Sequence, residues 1–370
     1  VTLSSTTFAL TRQTVDVDTD GNGTVDLLGA TLDAIGLSVS SASVVVTGLA
    51  TLTVTGQLGV ARVTAAGESS ARYTALKMGS VVIGASTATA ADFGLSGTLA
   101  IDKLDYNHAV AGYGRIDWAN AFDLDDDGTN DTVDLSAALA LAPGTLAIAL
   151  PGSLQFAVNG EATGTLVAGP VSVTLSSTTF ALTRQTVDVD TDGNGTADLL
   201  GATLDGIALS VNGASVVVTG VASVTVSGNL AVARITPAGV GATVRYTALK
   251  MGDVTVTAST AAAGDFGLSG TLTINTLNTN SAATGYGRID WAQAFDLNGD
   301  GTQDTLDPGA SLPTPVALAI DFPATLQLAL AGSITGTPLL TAGPVTIGGT
   351  AEFALTRQTV DVDTDGNGTA

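Results

Sequence analysis

The sequence predicts an all-β protein with an elongated tandem-repeat architecture. Residues 1–48 return at 173–220 with only five substitutions, and a third copy opens at Phe353. A fixed long period indicates modules in tandem. Aromatic residues make up only 4% of the 370 residues, which include 45 Gly, and small residues with Val, Leu and Thr are typical of regular strands in thin layers. Two architectures stay open: a β-solenoid-like coil and stacked antiparallel sheets.

The repeat divides the chain into two modules and a fragment. We place the first module at residues 1–172, the second at 173–345, and the start of a third, truncated module at 346–370. Because both ends fall inside a repeat, we expect the sequence to be part of a longer chain. The junction at 169–176 reads as continuous strand, which predicts a stiff link between modules.

Alternation of apolar and polar residues marks the strands in chain order. Over 42–62, every second residue is apolar or Gly, and the residues between them are mostly Ser and Thr. Period two places one face of a strand in a core. The run is too long for one strand, so we expect bends or turns at Gly48 and Gly56. Further strands are expected at 93–104, 154–159 and 171–187, and short helices at 27–35 and 116–122.

Charge and composition limit the classes of partner. The net charge is −22 with only 12 Lys and Arg residues, which argues against nucleic acid or an anionic membrane as a partner. No Cys is present, so disulfides and thiolate metal sites are excluded. No stretch of the sequence resembles a signal peptide or a membrane span. Hydrogen-bonded sheets and bound cations remain as the stabilising devices.

Asp-rich loops give the strongest chemical signal. In the first type of loop, three Asp residues alternate along the chain and a Gly follows the third. Calcium prefers six to eight oxygen ligands, and a Gly permits the sharp turn around the ion. The candidate ligands are Asp16, Asp18, Asp20, Asn22 and Asp26, then Asp188, Asp190, Asp192, Asn194 and Asp198, and in the third copy Asp361, Asp363 and Asp365.

A second type of loop occurs once in each module. Its closing carboxylate lies at the twelfth position, as in EF-hand and dockerin calcium loops, whereas the first type closes at the eleventh. The alternative is an acidic, solvated turn. Because clustered carboxylates repel one another unless a cation neutralises them, we interpret both types as calcium sites. The candidate ligands are Asp123, Asp125, Asp127, Asp131 and Asp134, repeated as Asp296, Asn298, Asp300, Asp304 and Asp307.

Residues suited to catalysis do not recur between the modules. His108 is the only histidine, and its counterpart is Ser281. Without a Cys or a recurring His, the module has no nucleophilic triad, so we expect no enzyme. Trp118 and its copy Trp291 are interpreted as core anchors rather than as sugar-binding platforms.

Three segments resemble the repeat region of giant bacterial surface proteins, of the LEPR-XLL type and similar calcium-dependent adhesins. They are FALTRQTVDVDTDGNGTVDLLGATL at 8–32, RYTALKMG at 72–79 and DFGLSGTL at 92–99. The resemblance implies a secreted, calcium-loaded repeat at the bacterial cell surface, and it implies no catalytic or ligand-binding residue.

The sequence therefore predicts a structural repeat of an extracellular, calcium-stabilised bacterial fibre, stalk or sheath. Its expected partners are neighbouring repeats of the same chain, with lateral self-assembly into filaments. The alternative is a calcium-dependent adhesin module that binds glycan or another cell surface, marked by an exposed aromatic cluster such as Tyr113 with Trp118. A Thr-rich face at Thr51, Thr53 and Thr55 suggests ice binding as a variant, which the copy Ser223, Thr225 and Ser227 weakens.

Overall fold

The structure is a computed structural model that describes residues 2–46, 50–87, 93–168, 171–219, 222–260 and 266–363. The chain forms two compact units. Unit 1 comprises Val1–Gly169 and Thr179–Thr186, and unit 2 comprises Pro170–Thr178 and Val187–Ala370. Each unit therefore contains residues from the first strand of the sequence copy that follows it.

Unit 1 is built on one antiparallel sheet in which neighbours along the chain are neighbours in the sheet. The order is β1-β2-β3-β4-β5-β8, and β6 pairs with β7 in a separate small sheet. The strands are β1 Thr2–Val17, β2 Leu27–Val46, β3 Ala50–Thr64, β4 Tyr73–Thr87, β5 Phe93–Ala109, β6 Val133–Asp134, β7 Ala147–Ile148 and β8 Leu154–Ala168.

Unit 2 repeats this arrangement with antiparallel neighbours in the order β10-β11-β12-β13-β14-β15. Strand β9, Val171–Val189, contributes residues to both units. The remaining strands are β10 Leu199–Val218, β11 Ala222–Thr236, β12 Tyr246–Thr260, β13 Phe266–Ala282, β14 Leu326–Ala342 and β15 Val345–Gln358.

The all-β prediction is confirmed. The long strands of each unit form one antiparallel sheet, which is neither a solenoid coil nor a stack of antiparallel sheets. The expected strands at 93–104, 154–159 and 171–187 are all present and extend further, to Ala109, Ala168 and Val189. The bend expected at Gly56 is a bulge inside β3. Gly56 has φ +139°, and a Cβ there would lie 2.7 Å from the Cα of Val81, so glycine is required. Gly48 lies outside the described residues.

Both predicted helices are wrong. Residues 27–35 belong to strand β2, where Ala30, Leu32 and Ala34 alternate into the core with at most 2% exposure, a period of two rather than of 3.6. Residues 116–122 form turns between buried apolar side chains. In the described part of the chain, helical residues occur only as two short 3-10 turns, Ala137–Leu139 and Pro308–Ser311.

A long connection covers part of each sheet and completes the core. We call it the cap segment, residues 110–153 in unit 1 and 283–325 in unit 2. In unit 1 its apolar side chains pack on residues from β1 to β4, such as Val17, Leu32, Val63 and Tyr73. Unit 2 has the same kind of core around Trp291. Since a lone sheet leaves both faces in water, the cap supplies the second layer that burial requires. The core side chains from the unit 1 cap are Ile116, Trp118, Ala121, Phe122, Val133, Leu135, Leu139, Leu146, Ile148 and Leu150.

The part of the unit 2 sheet remote from its core presents two different faces. We call it the far half, residues 214–219, 222–227, 254–260, 266–274 and 333–351. Cross-strand register aligns a row of hydroxyl residues across six strands, and the neighbouring positions form an apolar row on the opposite face. The hydroxyl row is Ser215, Thr225, Thr257, Thr271, Thr335 and Thr350, and the apolar row is Ala214, Val226, Val256, Leu272, Ile334 and Ala351.

Among the residues that the structure describes, no helix combines the length and the apolar character needed to span a bilayer.

Candidate metal centres

The four complete Asp loops share one nine-residue frame. Each has Asp at position 1, Asp or Asn at positions 3 and 5, Gly at position 6, Thr at position 7 and Asp at position 9. The frames begin at Asp18, Asp123, Asp190 and Asp296. The two loop types that the sequence separates by their eleventh and twelfth positions are therefore variants of a single local structure.

The carboxylate at position 1 organises the turn of each frame. In the first frame, the Asp18 carboxylate accepts hydrogen bonds from the amides of Gly21 and Gly23, at 2.8 and 2.6 Å. The glycine amide at position 6 makes the same bond in the other three frames, from Gly128, Gly195 and Gly301. Because these amides bend around one side chain, the loop becomes a concave turn rather than an open acidic strand.

The carboxylate at position 9 closes the frame. The Asp26 carboxylate accepts from the amide of Thr19 at 2.8 Å, and the corresponding bonds join Leu124 to Asp131 at 2.7 Å and Thr191 to Asp198 at 2.8 Å. This bond brings the end of the loop back beside its beginning. The side chain at position 5 accepts from the amide at position 7, as in the bond from Thr24 to Asn22.

The folded frames bring three carboxylates together in the positions expected of metal ligands. The ligand oxygens of each group lie within 4.8 Å of one another. Such a separation between anionic oxygens is unfavourable without a neutralising cation. The three groups in the described residues are Asp18, Asp20 and Asp26; Asp123, Asp125 and Asp131; and Asp190, Asp192 and Asp198. In the frame of Asp296, Asn298 takes the place of the middle carboxylate.

The structure gives other predicted ligands a different local role. The Asp16 carboxylate accepts from the amide of Gly29 at 2.7 Å, and Asp188 accepts from Gly201 at 2.7 Å. Asp134 accepts from the amides of Ser136 and Gly144, at 2.9 and 3.0 Å. These carboxylates hold strand ends and cap turns together, and they lie outside the three carboxylate groups.

Other predicted ligands lie at position 5 of the frames, at Asp307 and in the third copy. The side chains at position 5 stay within their frames and accept a hydrogen bond from the amide two residues later; they are Asn22, Asp127, Asn194 and Asp300. Asp307 accepts from the amides of Gly309 and Leu318, both at 3.0 Å. In the third copy, Asp361 and Asp363 follow β15 and are exposed. Asp365 lies outside the described residues.

Hydrogen bonds keep the first carboxylate of the frame ionised. Burial acts to raise the pKa of Asp18, but the amides of Gly23, Gly21 and Asn22 outweigh it, and the pKa is lowered. The pKa of Asp190 is lowered in the same way against the effect of burial. Both groups therefore remain anionic at neutral pH, the form in which a carboxylate binds a cation.

The two frames of unit 1 lie beside one another. The amide of Asp18 donates to the carbonyl of Ala121 at 3.0 Å, directly before the second frame. A cleft of about 710 Å³ is lined by residues of both loops, among them Asp16, Asp18 and Asp123. In unit 2 the amide of Asp190 donates to Ala294 at 3.0 Å. Each pair of frames thus lies where the β1 or β9 strand end meets the cap segment.

Sequence reasoning missed the residue that anchors the cap. Asn107, on β5 and 2% exposed, donates from Nδ2 to the carbonyls of Ile116 and Pro151, at 2.9 and 3.1 Å. Its Oδ1 accepts from Trp118 Nε1 at 3.0 Å. Asn280 repeats these three bonds in unit 2. The recurrence of the Asn at the same place in both modules was its only signal in the sequence.

The donor set suits a hard divalent cation. All the ligand atoms offered by the three groups are carboxylate oxygens, the ligand type that hard divalent cations prefer. The structure therefore shows Asp groups compatible with metal binding in a repetitive all-β protein. Comparison with protein-family models, with curated proteins and with solved structures finds no match for this chain.

Proposed function

We propose that this chain is a structural repeat of an extracellular, calcium-stabilised bacterial fibre, stalk or sheath. The observation that carries the proposal is the recurrence of one nine-residue acidic frame at the same two places in each unit. A repeated unit with a repeated metal frame and a continuous strand between copies suits a role in building length.

Calcium would act where the sheet meets the cap. In unit 1 the frame of Asp18 connects β1 to β2, and the frame of Asp123 lies within the cap segment. An ion in each frame would neutralise three carboxylates and fix both loops beside the buried core. Because an unfolded chain offers no such concave site, ion binding would add directly to the free energy of unfolding.

The proposed role needs no catalytic residue. The bacterial cell surface is the proposed location, because calcium is abundant outside the cell and would rigidify the repeat there. Neighbouring repeats of the same chain are the proposed partners, since residues Thr179–Thr186 of the second copy belong to unit 1.

A calcium-dependent adhesin module is the second candidate, and the hydroxyl row of the far half favours it. Thr225, Thr257 and Thr350 on that row are exposed, and such a face offers many hydrogen bonds to a glycan or to ordered water. The aromatic cluster expected for glycan binding is not presented, because Trp118 is fully buried while Tyr113 is 48% exposed. The fibre proposal therefore has the stronger support.

Calcium removal tests the proposed function. We expect chelation of the purified 370-residue chain to lower its melting temperature by tens of degrees, because self-repulsion of four acidic frames then opposes folding. Electron microscopy of the same samples should show straight rods with a regular module spacing in calcium, which soften or collapse in chelator. Magnesium at the same concentration is the control, and it should restore little of the stability.

An unchanged melting curve in chelator would remove calcium from the proposal. Compact particles that are indifferent to calcium would instead favour the adhesin candidate, and a glycan screen with a variant that replaces Thr225, Thr257 and Thr271 by Val would then test the hydroxyl row.

A further inference from the structure

Each sheet has a second face on the side away from the cap segment, which we call the back face. In strand β11, Ala231, Ala233 and Ile235 point toward the cap and are fully buried, so the residues between them point to the back face. Cross-strand register joins one large apolar residue from each of five neighbouring strands into a row there. We call this row the leucine row of unit 2; its members are Leu209, Leu230, Met251, Leu277 and Leu330.

Unit 1 presents the same row at the same place in its sheet. Its members are Leu37, Leu58, Met78, Leu104 and Val158. No residue of either row belongs to the buried core of its unit, and all of them are partly exposed. Every strand that carries a row has a paired strand on both sides. The two back faces are therefore interior surfaces of a sheet rather than strand edges.

Strand β11 shows how this chain treats a sheet surface that nothing covers. Its cap side is apolar beneath the cap, and beyond the cap it changes to Thr225, which is exposed, and Ser227. The back side makes no such change. Because the uncovered part of the cap side carries hydroxyl residues, a back side that stays apolar indicates a covered surface. The back-facing residues of β11 are Ala222, Val224, Val226, Gly228, Leu230 and Val232.

Differences between the two modules separate the faces in the same way. Beyond the cap, back-face positions that differ between the modules hold an apolar residue in both. Cap-side positions in the same part of the sheet change between apolar, charged and hydroxyl residues. A polar side chain on a covered face would lose its hydrogen bonds to water, which explains the restriction on one face only. The back-face pairs are Ile83 with Val256 and Ala162 with Ile334, and the cap-side pairs are Val82 with Thr255 and Glu161 with Ser333.

The back face of one unit has the area of a stable interface. Its apolar stretch in β11 runs from Ala222 to Val232, about 36 Å, and five strands give a width of about 24 Å. The product is about 850 Å² per copy, and a stable interface buries about 800 Å² per partner. The stretch ends at Arg234, which is exposed and lies opposite Asp205. A polar rim therefore borders the apolar centre, as in specific interfaces.

A second copy of the chain is the occupant that fits this face. A sheet face packs on another sheet face about 10 Å away, with interdigitated side chains, and a second copy supplies a face with the same rows. Packing of one surface on itself is isologous and closes as a pair. The net charge of −22 disfavours an anionic lipid surface, and the leucine rows contain no Lys or Arg to bind one.

We infer that the back faces of two copies of this chain pack on each other and join the copies side by side. The inference rests on the proposed fibre function and names the surface through which filaments assemble laterally. The leucine rows lie at the centre of this contact, and the hydroxyl rows of the cap side stay in water.

Methionine oxidation of the natural chain tests the inference. The chain contains only two Met residues, Met78 and Met251, and each lies in the middle of a leucine row. Peroxide converts an accessible Met to the sulfoxide, so the oxidation rate, followed by mass spectrometry of peptides, reports how far each row is covered. We expect both rates to fall several-fold as the chain concentration rises through the range in which sedimentation shows association. A Met introduced on the opposite face by Thr225→Met should oxidise at one rate throughout.

Charge substitution gives a second test with a matched control. Met78→Lys with Met251→Lys should weaken association in sedimentation equilibrium by roughly tenfold or more, because an unpaired charge is unfavourable in a buried contact. The melting temperature of the dilute chain should stay nearly unchanged, since both Met are partly exposed within the unit. Thr53→Lys with Thr225→Lys adds the same charges to exposed positions of the cap side and should leave association unchanged.

Three outcomes would overturn the inference. The first is a natural chain that stays monomeric with oxidation rates independent of concentration, and the second is an equal loss of association in the Thr variant. The third is protection of Met78 and Met251 by phosphatidylcholine vesicles but not by chain concentration, which would assign the face to lipid. The calcium dependence of the melting temperature, measured on the same samples, reports separately on the proposed function. A monomeric chain with a calcium-dependent melt would reject this inference alone.

Discussion

The two ends of the unit 2 strands differ in how far their apolar side chains are buried. At the end next to the Asp frames, Ala233 and Ile235 of β11 are fully buried beneath a cap whose Trp291 is also fully buried. In the far half, Val224 and Val226 of the same strand remain partly exposed, and the apolar row lies beside an open groove of about 590 Å³. One strand thus passes from a two-layer core into a single layer.

This difference indicates where the stability of the unit resides. Apolar burial contributes about 25 cal/mol per Å² removed from water, and in the described residues complete burial is concentrated beneath the cap. The far half depends on backbone pairing and on cross-strand contacts, such as the 3.2 Å hydrogen bond between Thr257 and Thr271. The candidate metal centres lie at the stable end, so an ion there would reinforce the part that already carries the core.

Matched leucine substitutions should show the largest difference between the two ends. Leu318 lies in the cap segment and is 2% exposed, whereas Leu272 lies on the apolar row of the far half. We expect Leu318→Ala to lower the free energy of unfolding by about 2–5 kcal/mol, since it leaves a cavity, and Leu272→Ala to cost about 1 kcal/mol. Urea unfolding of the full chain in calcium measures both.

Equal losses for the two leucine variants would contradict the comparison and would mean that the far half is covered in solution. A Leu272→Ala loss that depends on protein concentration would identify a second copy of the chain as the cover.

Substitution within one Asp frame should have a smaller effect, which is confined to calcium binding at that frame. Asp190→Ala removes a member of the carboxylate group with Asp192 and Asp198, while Asp188→Ala removes only the acceptor of the Gly201 amide. Calorimetry should show the loss of one calcium ion per chain for Asp190→Ala and an unchanged stoichiometry for Asp188→Ala. The frame of Asp296 should still bind in both variants. Loss of all sites together would show that the frames are not separate.

Lowering the pH should destabilise the cap segment at Asp134, and this is the smallest of the expected effects. Burial acts to raise the pKa of Asp134, but hydrogen bonds from Ser136 and Gly144 and the charge of Lys77 lower it. A lowered pKa contributes stability that is present above the unfolded value of about 3.9 and is lost as the pH falls through the folded value. We expect Asp134→Asn to cost about 1 kcal/mol at pH 7 and its difference from the natural chain to shrink as the pH falls below about 3.9, as measured by thermal melts across pH.

A difference between the two chains that does not shrink as the pH falls would show that the Asp134 effect is steric rather than electrostatic.

Strand positions followed from alternation, and the errors arose where short apolar runs were ambiguous. Leu28, Leu32 and Ile35 have the i, i+4 and i+7 spacing of a helix face, whereas Ala30, Leu32 and Ala34 have the spacing of one strand face. Only pairing with β1 and β3 decides between the two. Three of the predicted acidic loops contain carboxylate groups that could hold a metal ion. The internal frame of the loops was not predicted, because counting from Asp16 instead of Asp18 hides the position to which the Gly23 amide donates.

The sequence by itself determined the repeat, the all-β class and the chemistry of the acidic loops, because these depend on residues close together in the chain. Only the tertiary structure decided that Asn107 ties Trp118 and the cap to the sheet, and that β15 completes the sheet of the copy before it. Both depend on pairing between distant strands, where burial and register are settled by the whole sheet rather than by local spacing.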